Sequence, residues 1–130
     1  MNKRRSIEIE GFKHGTNPIP AASRVGNMVM TGGVYGLDTE TKAIPDDAKE
    51  QCRLMFGNLR KILTAAGAST DDVLKITVFI KDQSVRDVVN PEWTAMFPDP
   101  AARPARQTMI NPYLAGKMLI QCEAVAFIAA

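Results

Sequence analysis

Residues 118–128, MLIQCEAVAFI, constrain the fold more than any other stretch of this 130-residue chain. In a strand, successive side chains point to opposite faces, so Ile120, Cys122, Ala124, Ala126 and Ile128 share one side. That set is small and wholly apolar, which suits packing beneath helices. Leu119, Gln121, Glu123, Val125 and Phe127 take the other side and mix two polar residues with large apolar ones. Such a face suits a surface that is covered yet wet in places; it is too apolar for open solvent. Val73–Ile80, VLKITVFI, is β-branched and nearly all apolar, the pattern of a central strand. Two strands of this kind require a sheet with something packed on it.

The packing element is legible in residues 48–66. Ala48, Cys52, Met55, Phe56, Leu59, Ile62, Leu63 and Ala66 recur at steps of three and four, which makes one continuous helical stripe. Asp46 and Asp47 suit its positive N-terminal end, and Gly67 suits its C-cap. A second helix is predicted over Val85–Phe97, with Val88, Val89, Trp93, Met96 and Phe97 inward and Pro98 ending it. Ser6–Gly11 and Arg24–Thr31 read as strands, the latter ending at Gly32-Gly33, with Thr16–Pro20 as a break between them. The glycines at 32, 33 and 36 permit close approach by a ligand or another chain. Ala105–Ile110 is predicted to return on Met118–Ile128 as a hairpin. The expected order is β-β-α-β-α-β-β: an α+β domain over residues 1–130, a mixed sheet with two helices on one face.

Several function classes are disfavoured. Sixteen Lys+Arg against 14 Asp+Glu leave a net charge of +2, and no basic run exceeds Lys3-Arg4-Arg5, which argues against a nucleic-acid binder. No apolar run approaches the ~20 residues of a membrane span. The opening MNKRRSIEIEG has no apolar stretch behind its basic residues, so no secretory signal is expected and the expected location is cytoplasmic. One histidine, His14, and two separated cysteines, Cys52 and Cys122, leave no zinc site of the usual kind. The cysteines are expected as buried free thiols. His14 reads as a loop surface group and Trp93 as helix core.

Arg106 is the most suggestive charged residue. It opens a strand candidate, and in a tight hairpin it lies opposite Gln121 or Glu123 on a shared face. A guanidinium fixed on a sheet suits bidentate capture of a carboxylate. A surface arginine, or one paired structurally with Glu123, is the alternative.

An ordered set of short motifs then becomes specific. Gly26-Asn27-Met28, Thr31-Gly32-Gly33, Asn58 and Ala65-Ala66-Gly67-Ala68 are followed by Asp72–Asp82, Val89-Asn90, Pro104-Ala105-Arg106 and Glu123-Ala124-Val125-Ala126. Together, from about residue 17 to residue 128, they resemble the Rid family, the reactive intermediate deaminases also called the YjgF family. The resemblance implies a chorismate-mutase-like fold, a homotrimer whose sheets line its interior, and ligand clefts between subunits. It also implies hydrolysis of 2-imino or 2-enamino acids to 2-oxo acids and ammonia, with no cofactor or metal. Arg106 would hold the substrate carboxylate, backbone at Gly32 and Gly33 would line the cleft, and Asn90 would lie nearby.

The sequence departs from the family pattern at informative places. Where the family has a glutamate that orients or activates water, fifteen residues after the arginine, this chain has Gln121. An amide can hold a water but cannot accept its proton. Glu123 lies two residues on and ~7 Å further along the strand. Ile19 stands where a family tyrosine helps close the cleft, and Thr108 replaces a cysteine found in many members. Three readings follow: an imine/enamine deaminase or related C=N hydrolase, a trimeric carboxylate-binding or sensing protein without catalysis, and an endoribonuclease or translation inhibitor.

Overall fold

The computed structural model describes residues 3–129; residues 1, 2 and 130 of the expected domain lie outside the described residues. Its strands are β1 (Arg5–Ile7), β2 (Ala22–Val25), β3 (Met28–Thr31), β4 (Val34–Tyr35), β5 (Val73–Ile80), β6 (Ala105–Ile110) and β7 (Ile120–Phe127). They form one mixed sheet in the order β1-β2-β3-β7-β5-β6, with β4 also paired to β7. The helices are α1 (Ala48–Ala65) and α2 (Val89–Met96).

α1 forms as the spacing predicts. Asp47 caps it by accepting from the Glu50 N–H at 3.3 Å, and Gly67 takes φ +82° just past the C-cap Ala66. Cys52, Met55, Phe56, Leu59, Ile62 and Leu63 are buried against the sheet. They meet Val34, Ile76, Val78, Ile80, Ile120 and Cys122, all inaccessible to solvent. Each fully buried aliphatic side chain of this kind contributes roughly 1.5–3 kcal/mol. The helices thus cover one face, and Ile120, Cys122, Ala124 and Ala126 point into it as the alternation requires.

Four expectations are corrected. Arg24–Thr31 is not one strand but part of a hairpin, because Gly26 at φ +57° and Asn27 turn the chain between β2 and β3. The first strand is shorter than Ser6–Gly11 and stops at Ile7. The second helix begins as 3₁₀ over Gln83–Val88, capped by Asp82, and is α-helical only from Val89. The predicted 105–128 hairpin does not form: β5 lies between β6 and β7, parallel to β6 and antiparallel to β7. The reason is burial. β7 and β5 each present a wholly apolar helix-side face and take central positions, while β6, carrying Arg106, Gln107 and Thr108, tolerates an edge.

Between β3 and β4, three residues (Thr31, Gly32, Gly33) face two on β7 (Glu123, Ala124), so the strand bulges. The Thr31 hydroxyl fills the gap in the ladder by accepting from the Ala124 N–H at 2.9 Å. No helix among the described residues is long and apolar enough to cross a membrane.

Candidate functional site

Arg106 pairs in register with Ile76 of β5, whose side chain is buried under the helices, so Arg106 also faces α2. There one terminal nitrogen donates to Asn90 Oδ1 at 2.8 Å. The guanidinium lies over the Trp93 ring, 4.8 Å from its centroid. Its other terminal nitrogen, Nη1, is buried and has no hydrogen-bond partner among the described residues. Desolvation by burial and then the nearby positive Arg86 push the Arg106 pKa down from its ordinary value, opposed by Cys52. It stays a cation at neutral pH, so a fixed positive charge stands with unspent donors. Thr108 pairs with Val78 and follows Arg106 on the same face.

The Arg106 partner is therefore neither Gln121 nor Glu123, contrary to the hairpin expectation. Those two lie on β7, opposite Phe79 and Thr77 of β5, with side chains on the face away from the helices. Glu123 is exposed, and no ion pair of Arg106 with it is formed. Gln121 packs down on Gly33: a Cβ at position 33 would stand only 2.5 Å from Gln121 Nε2, so a side chain there would have to displace the Gln121 amide. The same Nε2 lies 3.9 Å from Met118 Sδ. At Gly36 the tight neighbour is the chain's own helix, since a Cβ there would stand 2.3 Å from the Gln51 carbonyl oxygen.

The loop from Lys13 to Pro20 hangs on this second group. His14 Nε2 lies 2.6 Å from the Gly33 carbonyl oxygen, the Tyr35 hydroxyl donates to the Lys13 carbonyl, and the Gly32 N–H donates to Ala21 O at 2.9 Å. A Cβ on Gly32 would find the Pro20 carbonyl at 3.7 Å, in ordinary contact. Ile19 is 52% exposed near the end of this loop. The structure thus brings Gly32, Gly33 and Gln121 together beside the loop that carries Ile19, and separately brings Asn90 to Arg106. It does not bring the two groups onto one face.

Other chemistry is sparse. Cys52 and Cys122 are buried free thiols; burial pushes the Cys52 thiol up to about 12 and Cys122 also upward. Neither is a ready nucleophile at neutral pH. No three His, Cys, Asp or Glu side chains converge as metal ligands among the described residues.

Comparison with known proteins decides the family. Residues 16–128 match the family described as endoribonuclease L-PSP, whose members include the YjgF, RidA and RutC proteins. The chain belongs to that family. A RutC family protein of Pyrococcus abyssi is 34% identical over 111 residues, covering 85% of this chain and 86% of its own. The 2-iminobutanoate/2-iminopropanoate deaminase of Salmonella typhimurium is 32% identical over 123 residues, covering 94% and 96%. The structure of Escherichia coli TdcF with bound serine superposes with a TM-score of 0.87 at 29% identity, covering 96% of this chain and 99% of that one. The mixed α+β fold is that of the L-PSP family.

Two residues beside these groups escape a reading of the sequence as surface and core. Trp93 packs against Phe97 but also carries Arg106 on its ring. The signal was its place three residues after Asn90, which puts both on one face of a helix. His14 is half-buried between Phe12 and Tyr35, and no local pattern pointed there.

Proposed function

We propose that this protein is a cofactor-free hydrolytic deaminase of small 2-imino or 2-enamino acids, or of a related C=N substrate. The observation that carries the reading is the buried, unpartnered Nη1 of Arg106 beside Asn90 and Trp93. A carboxylate there would complete the fork and neutralise a partly desolvated charge. Relatives at about 30% identity named as imine deaminases support the reaction class. The chemistry asks little of the protein. Water adds to the electrophilic C=N carbon, the carbinolamine collapses, and ammonia leaves with the proton balance closed by solvent, giving the 2-oxo acid. The protein's contribution is to fix the carboxylate and hold the water.

Arg106 and Gln121 face opposite sides of one sheet, so a small substrate touching both must lie between two chains. The helix-free face carries Met28, Met30, Met109 and Phe127 exposed, an apolar surface of the kind that subunits cover. We therefore place the cleft between adjacent subunits of a homotrimer, with Arg106, Asn90 and Trp93 from one and Gly32, Gly33, Ile19 and Gln121 from its neighbour. Glu123 lies further out on the Gln121 side as a second carboxylate.

Gln121 favours a second reading, a carboxylate-ligand binding protein without catalysis, and the serine bound to TdcF fits a small-ligand site of that kind. The family's endoribonuclease name supports a third reading, against which the small net charge weighs. The deciding assay feeds the protein 2-iminopropanoate generated by an amino-acid oxidase and follows ammonia and 2-oxo acid. Arg106→Ala should lower kcat/KM by on the order of 10- to 100-fold, the worth of a charge-assisted fork. An unchanged rate overturns the site. Saturable binding without turnover selects the second reading, and RNA cleavage that disappears in Arg106→Ala selects the third.

A further inference from the structure

We propose that His14 is a positioning residue for the site: its Nε2–H fixes the Gly33 peptide, and with it the surface on which the Gln121 amide rests. The inference builds on the reading of Gln121 as the group that holds the attacking water. A side-chain hydrogen bond from His14 to Gly33 joins the loop before β2 to the bulge, beside the backbone bond from the Gly32 N–H to Ala21 O.

A carbonyl oxygen only accepts, so the 2.6 Å contact between His14 Nε2 and Gly33 O places the ring hydrogen on Nε2. In the neutral ring Nδ1 is then a bare lone pair, and it is buried without a partner among the described residues. A buried acceptor left unpaired costs stability. A side chain serving only to fill the space between Phe12 and Tyr35 would carry no such cost as phenylalanine. The ring is held edge-on by Phe12, with centroids 5.3 Å apart at 86°, and by Tyr35 at 5.9 Å and 62°. Tyr35 in turn bonds the carbonyl of Lys13, the residue before the histidine. The imidazole therefore has little freedom except along its bond to Gly33.

Gly33 transmits that restraint. It lies in the bulge, where ladder pairing lapses between Met30 and Val34. Gln121 stands directly over its α-carbon, as the 2.5 Å approach to a Cβ there shows. Rotation of the Gly33 peptide would move the floor beneath the Gln121 amide. His14 opposes that rotation by holding the Gly33 carbonyl, without touching substrate.

The test uses the full chain with three substitutions. His14→Phe keeps an aromatic ring but no donor; His14→Gln keeps a donor that can reach the carbonyl; Gly33→Ala pushes Gln121 directly. In ¹⁵N-labelled protein, long-range ¹H–¹⁵N spectra should show His14 as the Nε2–H tautomer. The Gln121 side-chain amide signals should shift in His14→Phe and in Gly33→Ala, and return toward wild type in His14→Gln. With 2-iminopropanoate, His14→Phe should lower kcat on the order of tenfold with KM changed less, and His14→Gln should recover most of it. An Nδ1–H tautomer, or Gln121 signals unmoved by His14→Phe, overturns the proposal. If His14→Phe does not fold, the wild-type tautomer and the Gly33→Ala spectra still decide it. If Arg106→Ala keeps full activity, the functional reading fails, while the spectra judge His14 independently.

Discussion

Arg106 and Gln121 stand on opposite faces of the same sheet, with β5 between their strands. In one chain they cannot touch one small molecule. If the cleft is shared between subunits, Arg106→Ala and Gln121→Ala chains should each be impaired alone but recover activity when coexpressed. With random assembly at equal ratio, about a quarter of interfaces would hold both intact side chains. Coexpression followed by the ammonia assay checks this, and mixtures no more active than the separate variants contradict a shared cleft.

Gln51 is fully buried on α1 and makes three hydrogen bonds to loop backbone. Its Nε2 donates to Pro45 O at 2.7 Å and to Lys117 O at 3.0 Å, and its Oε1 accepts from the Leu119 N–H at 2.9 Å. These ties hold the segment entering β7 against the helix. Gln51→Leu fills the space but strands two carbonyls and an N–H. We expect a loss of about 2–4 kcal/mol in urea unfolding. A change below 0.5 kcal/mol would show that the loop finds water instead.

The two thiols should be silent in the native protein. A thiol reagent at pH 8 should label neither Cys52 nor Cys122 until urea is added, since burial holds both protonated. The linkage has a definite sign. The folded state keeps protons that the unfolded chain releases above the ordinary thiol value of 9.0, so stability falls as pH rises from there toward about 12. Urea midpoints between pH 8 and 10 should decline, and the decline should flatten in Cys52→Ala/Cys122→Ala. Rapid native labelling would contradict the burial.

Much of the fold is written locally. α1 follows from the spacing of Cys52, Met55, Leu59 and Ile62 and from its Asp47 and Gly67 ends. The inward face of β7 follows from Ile120, Cys122, Ala124 and Ala126, small residues that only a covered strand would collect. The candidate site was legible in its residue types. A lone strand arginine, the Thr31-Gly32-Gly33 run and Gln121 in the glutamate position were all visible, and the motif order led to the family that the comparison shows.

What the chain order hid was which strands meet. Ala105–Ile110 and Ile120–Phe127 follow one another, yet β5 lies between them, because two strands with wholly apolar helix-side faces gain most at the centre of the sheet. That one non-local choice turns Arg106 toward Asn90 and Trp93 and away from Gln121. The contact of His14 with the Gly33 carbonyl, nineteen residues away, is likewise non-local. Periodicity and capping are short-range and can be read from neighbours. Strand partners, and the pairing of side chains across a bulge, are set by competition for burial over the whole chain, so only the tertiary structure decided them.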